Sequence, residues 1–313
     1  MFTPPVGHPA LFDRRGLMPI VNPNANPEAG GGKGPVIHRA PWAPRIFGDS
    51  AARAELEPLL RAGIINGLTT NPTLLKKAGA NSWTHAKQMM KDLCTLFRPH
   101  PVSLELTRLD AEGMVAQASE LADLGDNAVI KVPVGGYRAV DPKADPYTGL
   151  EVIRRLWRRG IPVNTTLVFN TTQALWAASA GAVYVSPFLG RLADYASKHD
   201  RPGRPAGNAL YSADATVEGA SVVHNSAFVA SGGPADEIGT RLIFEIATVF
   251  ANYRITTEIL AASIRNAAQV TSCLLAGADI LTIPTTVLKT VADHPLSDEG
   301  MKAFATDAKA FER

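Results

Sequence analysis

The chain has 313 residues, 46% of them hydrophobic and 19% charged, with 31 basic against 29 acidic side chains. That mix excludes disorder along the whole chain, and a formal net charge of +2 gives no long-range pull toward nucleic acid or acidic membranes. No uncharged apolar run reaches membrane-spanning length, and the first residues lack a signal-peptide core, so neither a membrane nor a secretory route is expected.

Residues 1–45 hold 9 of the 23 prolines and 6 glycines, with no apolar period of 2 or 3.6. They read as an irregular amino-terminal arm. The run Gly30-Gly31-Gly32-Lys33-Gly34 lacks the spacing, the Ser/Thr after Lys and the preceding strand of a phosphate loop. From residue 46 onward, short apolar runs alternate with helical periods. Strands are expected at Ile46–Asp49, Ile65–Thr69, Val102–Leu106, Ala128–Val132, Val163–Val168, Val183–Ser186, Glu258–Ile264 and Asp279–Ile283. Helices are expected around Leu56–Gly63 and over Trp83–Phe97, Ala111–Leu124, Thr148–Arg159, Thr171–Ala180, Asp236–Tyr253, Asn266–Ala276 and Leu296–Phe311. Eight strands alternating with helices predict an α/β fold, a parallel (β/α)₈ TIM barrel over residues 46–313. The rival is a doubly wound open sheet, against which no GxGxxG follows the first strand. Two segments interrupt the rhythm, 135–147 after the fourth strand and 197–234 after the sixth. Loops of that length are often lids or binding loops.

Strand alternation separates residues that face the helices from residues that fill the barrel. In Val102–Leu106 the apolar residues share one face, which turns Ser103 and Glu105 inward. In Val163–Val168, Asn164 and Thr166 share a face. In the seventh strand Ala261, Ser263 and Arg265 alternate with Leu260, Ala262 and Ile264, and in the fourth Lys131 shares a face with Val129. Charged groups inside a barrel are costly unless paired or solvated, so they belong near the carboxyl rim, where such barrels carry their chemistry.

Lys131 ends an almost wholly apolar strand. Desolvated there it would lose its proton easily and act as an amine nucleophile; at the rim its head could instead reach water. Asp49 ends the first strand, and either it or Ser50 could cap the next helix. Asn71, before Pro72, has the same ambiguity. Glu105 lies within a strand and has no capping role to explain it. Arg191 and Arg265, after the sixth and seventh strands, could clamp a phosphate bidentately or stand as exposed loop residues. The run Arg154–Arg159 reads as a solvated helix face anchored by Trp157 rather than an RNA-binding patch. Seven histidines form no HxH or HExxH, so no metal site is expected. Cys94 and Cys273 form no CxxC, which favours a reducing, cytoplasmic setting.

A set of strings gives these residues a common context: Ile46-Phe47-Gly48-Asp49-Ser50-Ala51, Gly67-Leu68-Thr69-Thr70-Asn71-Pro72-Thr73, Val102-Ser103-Leu104-Glu105, Gly125–Pro133 around Lys131, Val163–Phe169, Val185-Ser186-Pro187-Phe188-Leu189-Gly190-Arg191, Ala261-Ala262-Ser263-Ile264-Arg265 and His294-Pro295-Leu296. In this order they resemble the transaldolase family of class I aldolases. The resemblance implies a cofactor-free, metal-free barrel that acts on phosphorylated sugars of carbohydrate metabolism, the pentose phosphate pathway, through a lysine Schiff base. By position it makes Lys131 the imine-forming lysine and Asp49 the acid/base. It has Glu105 and Thr166 hold the water of imine chemistry, and Asn71 and Ser186 grip the dihydroxyacetone unit. Arg191, Ser263 and Arg265 would bind the phosphate, and Asn164 and Phe188 would line the same pocket.

The related fructose-6-phosphate aldolases tend to carry Gln at the position of Glu105 and Tyr at that of Phe188. Glu and Phe here favour transfer of the dihydroxyacetone unit over its release. Gly48 departs from the large apolar residue usual before the aspartate, and the two insertions depart from the family pattern. Their placement after strands puts them over the barrel mouth, where they could reshape the pocket for a modified sugar, close as lids, or make a homo-oligomer contact. A barrel that binds sugar phosphates without turnover is the non-enzymatic alternative, and it would have no use for a desolvated amine.

Overall fold

A computed structural model describes residues 44–199 and 238–311. The amino-terminal arm, its glycine run and nearly all of the 197–234 segment lie outside the described residues. The strands are β1 (Arg45–Asp49), β2 (Leu68–Thr69), β3 (Val102–Glu105), β4 (Ala128–Pro133), β5 (Val163–Val168), β6 (Tyr184–Pro187), β7 (Glu258–Ala261) and β8 (Ile280–Ile283). They pair in parallel in chain order, and β8 closes on β1, giving a closed barrel. The open-sheet rival is therefore excluded. The helices are α1 (Arg53–Arg61), α2 (Pro72–Lys77), α3 (Trp83–Phe97), α4 (Ala111–Ala122), α5 (Thr148–Arg158), α6 (Thr171–Ala180), α7 (Leu189–His199), α8 (Ile238–Asn252), α9 (Ala267–Leu275), α10 (Thr285–Ala292) and α11 (Pro295–Ala308).

α2, α7 and α10 are additions to the elements predicted from sequence. α2 has only six residues, too few for an apolar period to show. α7 begins inside the Ser-Pro-Phe-Leu-Gly-Arg string, where Pro187 and Gly190 look like loop residues. The other ends move by a few residues, as helix and strand ends commonly do.

Two apolar layers hold the fold. The outer one joins the helix-facing sides of the strands, such as Leu104, Ile130 and Val132, to helix residues such as Leu56, Ile153 and Leu242, all fully buried. The inner one is a small plug of Phe47, Val129, Tyr184, Leu260, Ala262 and Ile280. Burial of each large side chain of this kind contributes about 1.5–3 kcal/mol. Phe47, Val129 and Tyr184 each lie two residues before a polar inward residue, namely Asp49, Lys131 and Ser186. The plug thus fills the amino-terminal half of the barrel and leaves the carboxyl half to polar groups. Arg45 closes it from below, stacked 5.7 Å from both the Phe47 and Tyr184 ring centres and ion-paired with Glu258.

In β7 the expected alternation holds only to Ala262. Ile259 and Ala261 face the helices and Leu260 and Ala262 face inward, yet Ile264 joins the outer layer. Ser263 takes a left-handed φ of 66°, which ends the strand and shifts the phase by one residue. The 135–147 segment is anchored on the carboxyl rim. The Tyr137 hydroxyl donates to the Pro133 carbonyl at 2.8 Å and packs on Met114 of α4, while Tyr147 meets Trp176 of α6 edge-on at 6.1 Å.

Candidate active site

Parallel register brings the central residues together. Lys131 on β4 pairs with Glu105 on β3 and with Asn164 on β5. Register partners put their side chains on the same side of the sheet, here inward. Lys131 Nζ lies 2.9 Å from Glu105 Oε2 and 5.6 Å from the Phe188 ring centre. Lys131 is 4% exposed. Of the two sequence readings, the lysine that reaches bulk water is excluded; the amine is enclosed, with a carboxylate as its partner.

Asp49 also stands in this group and does not cap α1. The residue at that cap position is Ala52, while Ser50 accepts from the Ala52 amide at 3.1 Å and donates to Glu55 at 3.0 Å. Asp49 Oδ1 accepts instead from the Thr69 hydroxyl at 2.8 Å. Burial pushes its carboxyl above the ordinary aspartate range; the charge of Lys131 and the Thr69 bond oppose that shift, Glu105 adds to it, and Arg265 opposes it. Four charged groups from β1, β3, β4 and the segment after β7 therefore share one field.

A chain of buried polar groups runs from β6 through β5 to β3. Ser186 donates to Asn164 Oδ1 at 2.7 Å, and the Asn164 amide donates to Ser103 at 3.1 Å. Thr166 sits above Asn164 on β5, fully buried, and its hydroxyl has no hydrogen-bond partner among the described residues. An orphan hydroxyl is costly in a folded core and common where a water or ligand completes the set. The next residue, Leu167, has φ 58°, and the β5–β6 register slips between Thr165 and Val168. Irregularities of this kind cluster next to active sites, where they re-aim a side chain.

On the rim, Phe188 links the amine to Arg191. Arg191 lies over the same ring at 5.2 Å from its centre, and Phe169 meets it edge-on at 6.1 Å. Arg265 is exposed and donates to Asp194 of α7 at 3.2 Å. A half-exposed pair of this kind contributes about 0–1 kcal/mol, so an anionic ligand could displace it. The backbone beneath Arg265 is fixed: its amide donates to Gln269, while Asn266 caps α9 by accepting from the Gln269 amide at 2.9 Å. Asn170 and Gln173 repeat that arrangement at α6. Asn71 caps α2 through the Leu74 amide at 2.9 Å, so the capping reading holds for it; its side chain is half-buried on the rim after β2.

Gly190 lets the sixth and seventh rim segments meet. A Cβ there would lie 2.0 Å from the Ser263 carbonyl oxygen and 3.0 Å from Arg265 Cγ. Gly190→Ala is expected to destabilise the fold by about 1–3 kcal/mol and to separate Arg265 from Asp194. A thermal melt of the variant unchanged from wild type would show that the two segments are not packed this way.

Alternation along β3, β4 and β5 marks Ser103, Glu105, Lys131, Asn164 and Thr166 as inward, and β2 and β8 add two more inward residues. Thr69 and Thr282 are buried and hydrogen-bonded to each other at 2.6 Å. Thr282 is the lone polar residue in Ile280-Leu281-Thr282-Ile283, a usable signal. Asp194 carried none, because it meets Arg265 from 71 residues away on an unforeseen helix. Among the described residues no three His, Cys, Asp or Glu side chains cluster as metal ligands, and no helix is long and apolar enough to cross a membrane.

Residues 46–313 match the family described as transaldolase/fructose-6-phosphate aldolase. A protein of Aquifex aeolicus named "Probable transaldolase" is 37% identical over 263 residues, which cover 84% of this chain and 95% of the relative. One of Thermoplasma volcanium with the same name is 36% identical over 265 residues, covering 85% and 95%.

Proposed function

We infer the reaction from one premise, that this chain belongs to the transaldolase/fructose-6-phosphate aldolase family of enzymes: it moves a dihydroxyacetone unit from a ketose phosphate to an aldose phosphate through an imine on Lys131. The observation that carries this reading is a lysine 4% exposed, 2.9 Å from a carboxylate and within the field of a second, partly buried one.

Glu105 takes a proton from Nζ, and the freed amine adds to the ketone carbonyl. Loss of the carbonyl oxygen as water leaves a protonated imine. Glu105 and the open hydroxyl of Thr166 hold that water and the one that later hydrolyses the imine. Asp49 removes the proton of the hydroxyl next to the bond that will break. The carbon–carbon bond cleaves, its electron pair moves to the imine nitrogen as an enamine, and an aldose phosphate departs. An acceptor aldehyde then enters, the enamine carbon attacks it, and Asp49 returns the proton. A carboxylate so positioned contributes about 10²–10⁴ in rate. Because the imine is the electron sink, the residues present are sufficient for the cycle.

Asn71 and Ser186 grip the hydroxyls of the retained three-carbon unit, with Asn164 orienting Ser186. Arg191, Ser263 and Arg265 take the phosphate, Arg265 exchanging Asp194 for it. Phe188 presents no hydroxyl to the enamine, which supports transfer rather than release of dihydroxyacetone. Assay of free dihydroxyacetone from fructose 6-phosphate, with and without an aldose phosphate, tests that preference.

Borohydride reduction in the presence of fructose 6-phosphate, followed by intact mass and peptide mapping, tests the chemistry itself. A single adduct on the peptide that contains Lys131 is expected. No adduct, or an adduct on another lysine, would refute the reading.

A further inference from the structure

Asp49 is held by more than the residue that touches it. Thr69 donates to Asp49 Oδ1 at 2.8 Å, and the same hydroxyl oxygen lies 2.6 Å from Thr282 Oγ1. A hydroxyl carries one proton. With the Thr69 proton committed to the carboxylate, the short Thr69–Thr282 contact is a bond donated by Thr282. Among the described residues the other acceptor within reach of Thr282 is the Gly48 carbonyl, at a long 3.4 Å. Thr69 and Thr282 are 1% and 2% exposed, so bulk water does not substitute for either bond. The chain Thr282–Thr69–Asp49 thus runs across β8, β2 and β1, with the catalytic carboxylate at its end.

We propose that Thr282 is a positioning residue for the reaction: by donating to Thr69 it strengthens the Thr69 bond to Asp49 and favours that side chain as an aimed, proton-accepting carboxylate. Bonds in such a chain polarise one another, and a bond to a carboxylate is the kind most strengthened by a second donor behind it. The effect opposes the burial of Asp49, as Lys131 from β4 and Arg265 from the segment after β7 also do, while Glu105 from β3 works against all three. Once Asp49 accepts a proton it needs the Thr69 donor less, and Thr282 can relax toward Gly48. The chain therefore favours the state that begins each proton transfer and yields when the proton arrives.

This inference rests on the reading of Asp49 as the acid/base, but its test does not depend on turnover. Thr282→Val has nearly the shape of Thr without the donor; Thr282→Ala removes the donor with different packing; Thr282→Ser restores the donor. The carboxyl carbon of Asp49 is followed by ¹³C NMR in full-length protein, assigned as the aspartate signal missing from Asp49→Asn. Its titration midpoint is expected to rise by roughly 0.2–0.7 pH units in the Val and Ala variants and to stay at the wild-type value in Ser. The acid limb of kcat/KM moves up by the same amount. A midpoint unchanged or lowered in Val and Ala, or raised equally in Ser, overturns the proposal. A shift in Val and Ala in a protein that forms no borohydride adduct leaves the chain standing and removes the transaldolase reading. An adduct on Lys131 without any shift does the reverse.

Discussion

Lys131→Met is expected to lose transfer activity by on the order of 10⁴-fold or more, because the proposed covalent route runs through its amine, and to melt at a lower temperature. The second effect has a separate cause. Lys131 and Glu105 are side chains only 5% and 17% exposed, 2.9 Å apart. Removing one partner of a buried pair leaves the other charge uncompensated, at a cost of about 3–5 kcal/mol when burial is complete. Glu105 keeps some access to solvent, which puts the expected loss nearer the lower end. Neutralising the survivor should recover most of it: Lys131→Met with Glu105→Gln is expected to approach wild-type stability while remaining inactive. A double-mutant cycle by urea unfolding reads the coupling directly. Two single variants whose losses simply add would mean that the pair is not coupled in solution, and that Glu105 is badly placed to take the amine proton.

The sequence made this pair visible for a simple reason. A period of two applied to Val102-Ser103-Leu104-Glu105 and Ala128-Val129-Ile130-Lys131 puts both charged ends inside whatever the strands enclose, and closure of the barrel follows from eight strands alternating with helices. Where alternation lapses, the sequence is silent. The left-handed Ser263 reverses the phase at the end of β7, and nothing in Ala262-Ser263-Ile264 announces it; the turn coincides with the close approach of Gly190, far away in the sequence. The same approach brings Arg265 to Asp194, a contact between segments with no local pattern in common. Thr69 and Thr282 were open to the alternation rule, but their partnership was not, since β1 and β8 become neighbours only when the barrel closes. Strand interiors are thus written in local pattern, whereas the rim is written in contacts between loops.

Asp49→Asn is expected to lower turnover by about 10²–10⁴-fold and, at neutral pH, to raise the melting temperature. The two changes have one origin. Burial holds the Asp49 carboxyl above its ordinary range despite Lys131 and Thr69. Its folded-state value therefore lies above its unfolded one. The stability linked to this group is then fully present below the unfolded value, about 3.9, and is lost as pH rises through the folded value. Above its folded value the wild-type protein carries an ionised carboxyl in a site that disfavours the charge. Asparagine keeps the shape and an oxygen to accept from Thr69 but never ionises. The variant should therefore melt above wild type at pH 7, with the gap closing as the pH falls toward about 4. Melting curves across that range check the sign, and a gap independent of pH would show that Asp49 is not strained by its charge. In the proposed cycle the same environment serves the chemistry: a site that makes the carboxylate costly to keep makes it a stronger base toward the proton of a sugar hydroxyl.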